Sequence, residues 1–102
     1  MSVKKRFLKT RPVCKVRFKI PKEVGRQYET AHVVGDFNDW DPNATPMDKL
    51  KSGAFSLALD LELDQRHEFR YLLDGEEWRN EEQADEFVPG PYPGVQNSVI
   101  VA

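Results

Sequence analysis

The sequence predicts an all-β fold, an immunoglobulin-like β-sandwich of about seven short strands. Three observations carry that prediction. Apolar and polar residues alternate with period two in several stretches, the mark of half-buried strands. Glycine, proline, asparagine and aspartate fall between those stretches at turn-like positions. No segment shows a sustained helical period. Six or seven strands in 102 residues, separated by turns, argue two packed sheets.

Segment 13–20, VCKVRFKI, alternates cleanly. Cys14, Val16, Phe18 and Ile20 point one way and Lys15, Arg17 and Lys19 the other; Pro21 ends the strand. Segment 30–35, TAHVVG, is a second strand. The stretch 36–53 reads as a loop with a short irregular strand or turn near 47–50. Segment 54–62, AFSLALDLE, places Phe55, Leu57, Leu59 and Leu61 on one face. Segment 67–73, HEFRYLL, turns Phe69, Tyr71 and Leu73 inward, which leaves Arg70 and an exposed Leu72 outward. Asp74-Gly75 signals a hairpin, with 76–80 returning and 98–102 as the last strand. Residues 81–97 read as a loop.

That hairpin carries a parity question. A plain two-residue turn would pair Leu73 with Glu76 and put Trp78 on the inward face with Tyr71. One extra residue, absorbed as a bulge at a left-handed Gly75, puts Trp78 outward beside Arg70. The expectation is the bulge and the outward tryptophan.

Composition bounds the rest. Apolar residues are 39% and charged residues 31% of the chain, enough for one modest core. A (β/α)₈ barrel needs about 250 residues and is excluded. No apolar run approaches the roughly 20 residues of a membrane span. The single cysteine, Cys14, reads as a small buried hydrophobe, and the charged N-terminus has no secretory apolar stretch; both predict a cytoplasmic protein. Residues 1–22 hold nine of the fifteen bases and no acid, so the leader is strongly basic and the body acidic. Residues 1–12 read as a flexible basic leader whose end becomes an edge strand, or as a docking arm for an acidic protein partner, with Phe7 and Leu8 as anchors. Nucleic acid is disfavoured because the acidic body would repel phosphates. His32 and His67 have no ligand spacing around them, and no metal site or other cofactor is expected. The carboxylates crowded at Asp36, Asp39 and Asp41 are ordinary turn formers, and no catalytic constellation stands out.

Three segments in order carry a likeness to a known family: VVGDFNDWDP at 33–42, FRYLLDGEEWRN at 69–80 and GVQNSVIV at 94–101. Together they resemble carbohydrate-binding module family 48, which includes the early-set domain of isoamylases and branching enzymes and the glycogen-binding domain of the AMP-activated protein kinase β subunit. The likeness runs from about residue 30 to 102 and implies one early-set, non-catalytic domain over 13–102. It also implies an α-glucan ligand held by two tryptophan platforms, a basic residue and an asparagine. The matching positions are Trp40, Trp78, Arg70 (where lysine is usual) and Asn97. Binding members carry a leucine and a threonine in the loop before that asparagine; Pro93 and Val95 stand there instead, near Tyr92.

The chemistry of these residue types agrees. Flat aromatic rings cover the apolar faces of a sugar at small entropic cost. Arginine donates in a fixed fork, and asparagine both donates and accepts. An open site with few anchors implies about −4 to −6 kcal/mol, millimolar to tens of micromolar. Plainer roles stand beside each: Trp40 as a loop staple, Trp78 in the core, Arg70 paired with Glu68 or Glu77, Asn97 in a turn. The alternative function is a protein-interaction or regulatory domain that has lost the sugar, accessory to an amylolytic or glycogen-metabolising enzyme.

Overall fold

A computed structural model describes residues 1–8 and 10–102. The strands are β1 (Ser2–Phe7), β2 (Val13–Ile20), β3 (Ala31–Gly35), β4 (Asp48–Lys49), β5 (Phe55–Glu62), β6 (Arg66–Leu73), β7 (Glu77–Arg79), β8 (Glu86–Pro89) and β9 (Gln96–Val101). One turn of helix, α1 (Lys22–Gly25), follows Pro21. Two antiparallel sheets form the sandwich. One has the order β1-β2-β5-β4. The other has the order β3-β6-β9-β8, with β7 also paired to β6. Among the described residues no helix is long and apolar enough to cross a membrane.

The alternation read in the sequence is what the sandwich buries. Cys14, Val16, Phe18 and Ile20 from β2 meet Phe69, Tyr71 and Leu73 from β6 in one core. Phe18 is its hub: its ring lies edge-on to Phe69 at 5.1 Å and to Tyr71 at 6.4 Å, and stacks near Phe37 at 6.5 Å. Edge-to-face aromatic pairs add to the area they bury.

The structure corrects the sequence reading in three places. Residues expected in a flexible leader form the edge strand β1, in register with β2 from Ser2–Lys19 to Phe7–Cys14. They are recruited because Met1 is buried, Val3 faces Phe18 across the ladder, and Lys5 reaches Asp85, the residue just before β8. Lys9, from the same leader, lies outside the described residues. Within the expected loop 81–97, β8 pairs with β9. With β1 and β8 the described residues form nine strands, where about seven were expected. Leu72, expected exposed, is only 2% exposed. Val34 and Val99 share its outward parity and are also buried, so that face of the sheet has an apolar floor of its own.

One buried carboxylate ties the sheet end together. Glu81 is fully buried and accepts the Tyr71 hydroxyl and the Gln83 N–H, each at 2.8 Å. Burial raises its pKa from the ordinary carboxylate value, and pushes the Tyr71 phenol well up as well. The folded state therefore holds the Glu81 proton more tightly than the unfolded state. Its contribution to stability is fully present below the unfolded value of about 4.5 and is lost as pH rises through the folded pKa. Urea unfolding of wild type and Glu81→Gln at pH 4 to 7 measures this. The stability difference, wild type minus variant, should fall as pH rises, by about 1.4 kcal/mol per unit of pKa elevation. A difference that grows with pH would contradict the assignment.

Candidate functional site

Strand β6 organises the site. On one flank it pairs with β3; on the other it pairs with β9 along its first half and with β7 along its second. Its outward residues Glu68, Arg70 and Leu72 thus stand between the loop that follows β3 and the strands β7 and β9.

That loop is self-supporting. The Asn38 side chain accepts the Gly35 N–H at 3.0 Å and donates to the Val33 carbonyl and the Thr45 hydroxyl, each at 2.9 Å. Asp36 accepts the Glu68 N–H at 2.9 Å, which fastens the loop to β6. Phe37 packs on the core. Gly35 leaves room for this crossing, since a Cβ there would come within 2.4 Å of the Glu68 carbonyl oxygen. Asp39 and Trp40 then both take positive φ, 57° and 56°, and the Trp40 N–H donates to the Gly35 carbonyl at 2.9 Å. Non-glycine residues in that region cost about 1 kcal/mol or more each, and such strain concentrates at functional sites. The indole of Trp40 is left half-buried beside β6.

Trp78 arrives by the hairpin. The Glu76 N–H donates to the Leu73 carbonyl at 3.0 Å, and Asp74 and Gly75 have φ of 52° and 69°. That is the closing bond of a two-residue turn with both central residues left-handed. Yet the ladder opposes Leu73 to Glu77 and Leu72 to Trp78. Glu76 is therefore the additional residue, bulged out directly after the turn. Gly75 is left-handed as expected, and Trp78 shares the outer face with Arg70, 41% exposed.

The Arg70 guanidinium carbon lies 4.6 Å from the Trp78 ring centroid and 5.7 Å from that of Trp40. Both distances are within cation–π range. Neither carboxylate considered as an ion-pair partner takes Arg70: Glu77 bonds Tyr28 and Arg79, and Glu68 bonds Asn97. Burial lowers the Arg70 pKa, and its Nε is buried without a partner. The group stays charged nonetheless. Asn97, opposite Val88 in the β8–β9 ladder, is 5% exposed. Its Nδ2 donates to Glu68 Oε1 at 3.1 Å, and its Oδ1 has no partner. Buried polar atoms left unpaired are uncommon and call for an explanation.

Trp40, Arg70, Trp78 and Asn97 all line one groove of about 550 Å³, with Asp36, Glu68 and the run Pro89–Gly90–Pro91 completing its walls. The sequence model of carbohydrate-binding module 48 (isoamylase N-terminal domain) matches residues 26–92. The chain belongs to this carbohydrate-binding module 48 family. A search of the curated proteins found no match.

Within this module, Trp40, Arg70 and Trp78 fall inside the family match, and Asn97 lies beyond its end. The match also begins after β1 and β2. Family members are non-catalytic, carbohydrate-binding modules, and the groove offers what carbohydrate needs: aromatic faces, a fork of donors and carboxylate acceptors.

Sequence reasoning missed Glu68, Asp36 and the Pro89–Pro91 wall. Glu68 was recoverable, because it lies two residues before Arg70 on the same strand and so shares its face. Asp36 was read as a turn former, and the proline wall depends on β8, which the sequence did not display. Pro93, Val95 and the 70% exposed Tyr92 are absent from the groove lining.

Proposed function

We propose that this domain binds α-1,4-glucan, as glycogen, starch or maltooligosaccharide, without catalysis and with weak affinity. The observation that carries the reading is the Arg70 guanidinium set between the rings of Trp40 and Trp78 on one open groove. The two indoles serve as platforms for the apolar faces of successive glucose units. Arg70 donates to hydroxyls, and Asn97 forms the polar floor. Binding at about −4 to −6 kcal/mol suits a surface groove with few anchors. The unpaired Cys14 fits work in a reducing cytoplasm, accessory to an amylolytic or glycogen-metabolising enzyme. Calorimetric titration with maltoheptaose tests this: saturable binding is expected, and none at millimolar sugar would contradict it.

A second reading, a domain that docks on an acidic protein partner, is favoured by the opposite face. Register puts Lys4 beside Arg17 and Arg6 beside Lys15 on the outer side of the β1–β2 ladder, with Lys19 in line. None of these five cations forms an ion pair among the described residues. Edge lysines also discourage self-pairing. Polyglutamate at low salt should shift the amide resonances of β1 and β2, and the shifts should vanish at about 0.5 M salt, where the Debye length is only a few ångström. Unchanged spectra would remove this reading.

A further inference from the structure

We propose that Glu68 is the residue that accepts hydrogen bonds from the sugar hydroxyls, and that Asn97 acts through it as a positioning residue. The inference rests on the glucan reading above and changes the part expected of Asn97.

Asn97 lines the groove but offers a ligand little surface. It is 5% exposed, and its Oδ1 is shut off from solvent. Its Nδ2 is already committed to Glu68 Oε1. A carboxylate can only accept, so this bond fixes which way the amide faces. The donor meets Glu68 and the acceptor points into the protein. The amide thus spends its donor on the carboxylate and keeps its acceptor out of solvent.

Glu68 has the opposite character. It is half-buried and lines the groove beside Arg70. Oε1 is held by Asn97, and the residue's backbone N–H is held by Asp36 at 2.9 Å. No hydrogen bond to Oε2 from the described residues is present, which leaves that oxygen free to accept. Asp36, the other carboxylate of the groove, is engaged by the Glu68 N–H and lies 3.6 Å from the His67 ring nitrogen. A sugar hydroxyl donates one bond and accepts others. Arg70 supplies donors and Glu68 supplies an acceptor on the same strand face, so together they match a pair of neighbouring hydroxyls. A ligand whose hydroxyls are blocked by methylation loses the Glu68 contact and keeps the stacking.

A double-mutant cycle read by maltoheptaose calorimetry tests this. Glu68→Ala should weaken binding roughly tenfold or more, as expected for a lost bond to a charged acceptor. Glu68→Gln keeps the shape and one acceptor oxygen but replaces the other oxygen with an NH2 donor, so it should recover only part of the loss. Asn97→Ala should weaken binding about threefold in the wild-type background and have no effect in the Glu68→Ala background, since its action passes through Glu68. An equal loss in both backgrounds means that Asn97 touches the sugar itself and overturns the proposal. So does a Glu68→Ala variant within twofold of a wild type that binds. A wild type that binds no glucan overturns the glucan reading, and this assignment falls with it. Thermal unfolding of each variant confirms that the fold is retained, and the near-isosteric Glu68→Gln keeps the test valid if the alanine variant unfolds.

Discussion

Trp78→Ala should take maltoheptaose binding out of the measurable range, a loss of at least about thirtyfold for removal of a central aromatic anchor. Trp78 stands on the outer face of a three-residue strand, and its ring packs on the Arg70 guanidinium at 4.6 Å. Alanine removes the stacking surface and also frees the arginine from one of its two rings. The cost to the fold should be small, because Trp78 is outside the core cluster and 41% exposed. Titration calorimetry and thermal unfolding of the same sample measure both quantities. A variant that binds within threefold of wild type would show that the ring is not a platform. Trp40→Ala should give a similar loss of affinity with a larger loss of stability. Trp40 is half-buried in the loop whose backbone it closes through the Gly35 carbonyl.

The second large effect falls on stability. Phe18→Ala should cost about 3–5 kcal/mol, the usual range for deleting a buried phenylalanine. Phe18 is fully buried and touches aromatic neighbours from the facing sheet and from the Asp36–Trp40 loop. Nothing near it can collapse far, since Phe69 and Tyr71 are fixed by the central strand β6. For a domain this size each kcal/mol moves Tm by about 4–8 °C, so the fall should exceed about 12 °C. Glucan affinity of the molecules that remain folded should be near wild type, because the groove lies on the other side of β6. A Tm shift of only a few degrees would mean that the core is arranged differently from this description.

These two expectations rest on different amounts of sequence information. The strands that build the core were legible because period-two alternation is strong where one face meets the core and the other meets water. In β2 that pattern is unbroken from Val13 to Ile20. Strand β1 was hidden because its sequence, SVKKRF, holds three consecutive cations and only two apolar residues, Val3 and Phe7, so no period-two alternation shows. Its pairing is decided by Val3 across from Phe18 and by the Lys5–Asp85 contact, both of which are long-range. Strand β8 was hidden inside an acidic, proline-rich stretch, where its pairing depends on β9.

The site was legible by a different route. The likeness supplied Trp40, Arg70, Trp78 and Asn97, and parity turned Trp78 outward. Leu72 was misread because alternation assumes that an outward residue meets water. Here Val34, Leu72 and Val99 form a covered floor on that face. The burial of Asn97 was invisible for the same reason: sequence gives the face on which a residue stands but not the depth at which it sits.

The most direct test of the account is a tryptophan fluorescence titration with maltoheptaose, with cellohexaose as the control. The chain has only two tryptophans, and both line the groove, so the signal reports on the proposed platforms alone. The account predicts a saturable change with the α-linked sugar, half-complete between tens of micromolar and a few millimolar, and none with the β-linked one. An unchanged spectrum at millimolar maltoheptaose, or an equal response to both sugars, would contradict it.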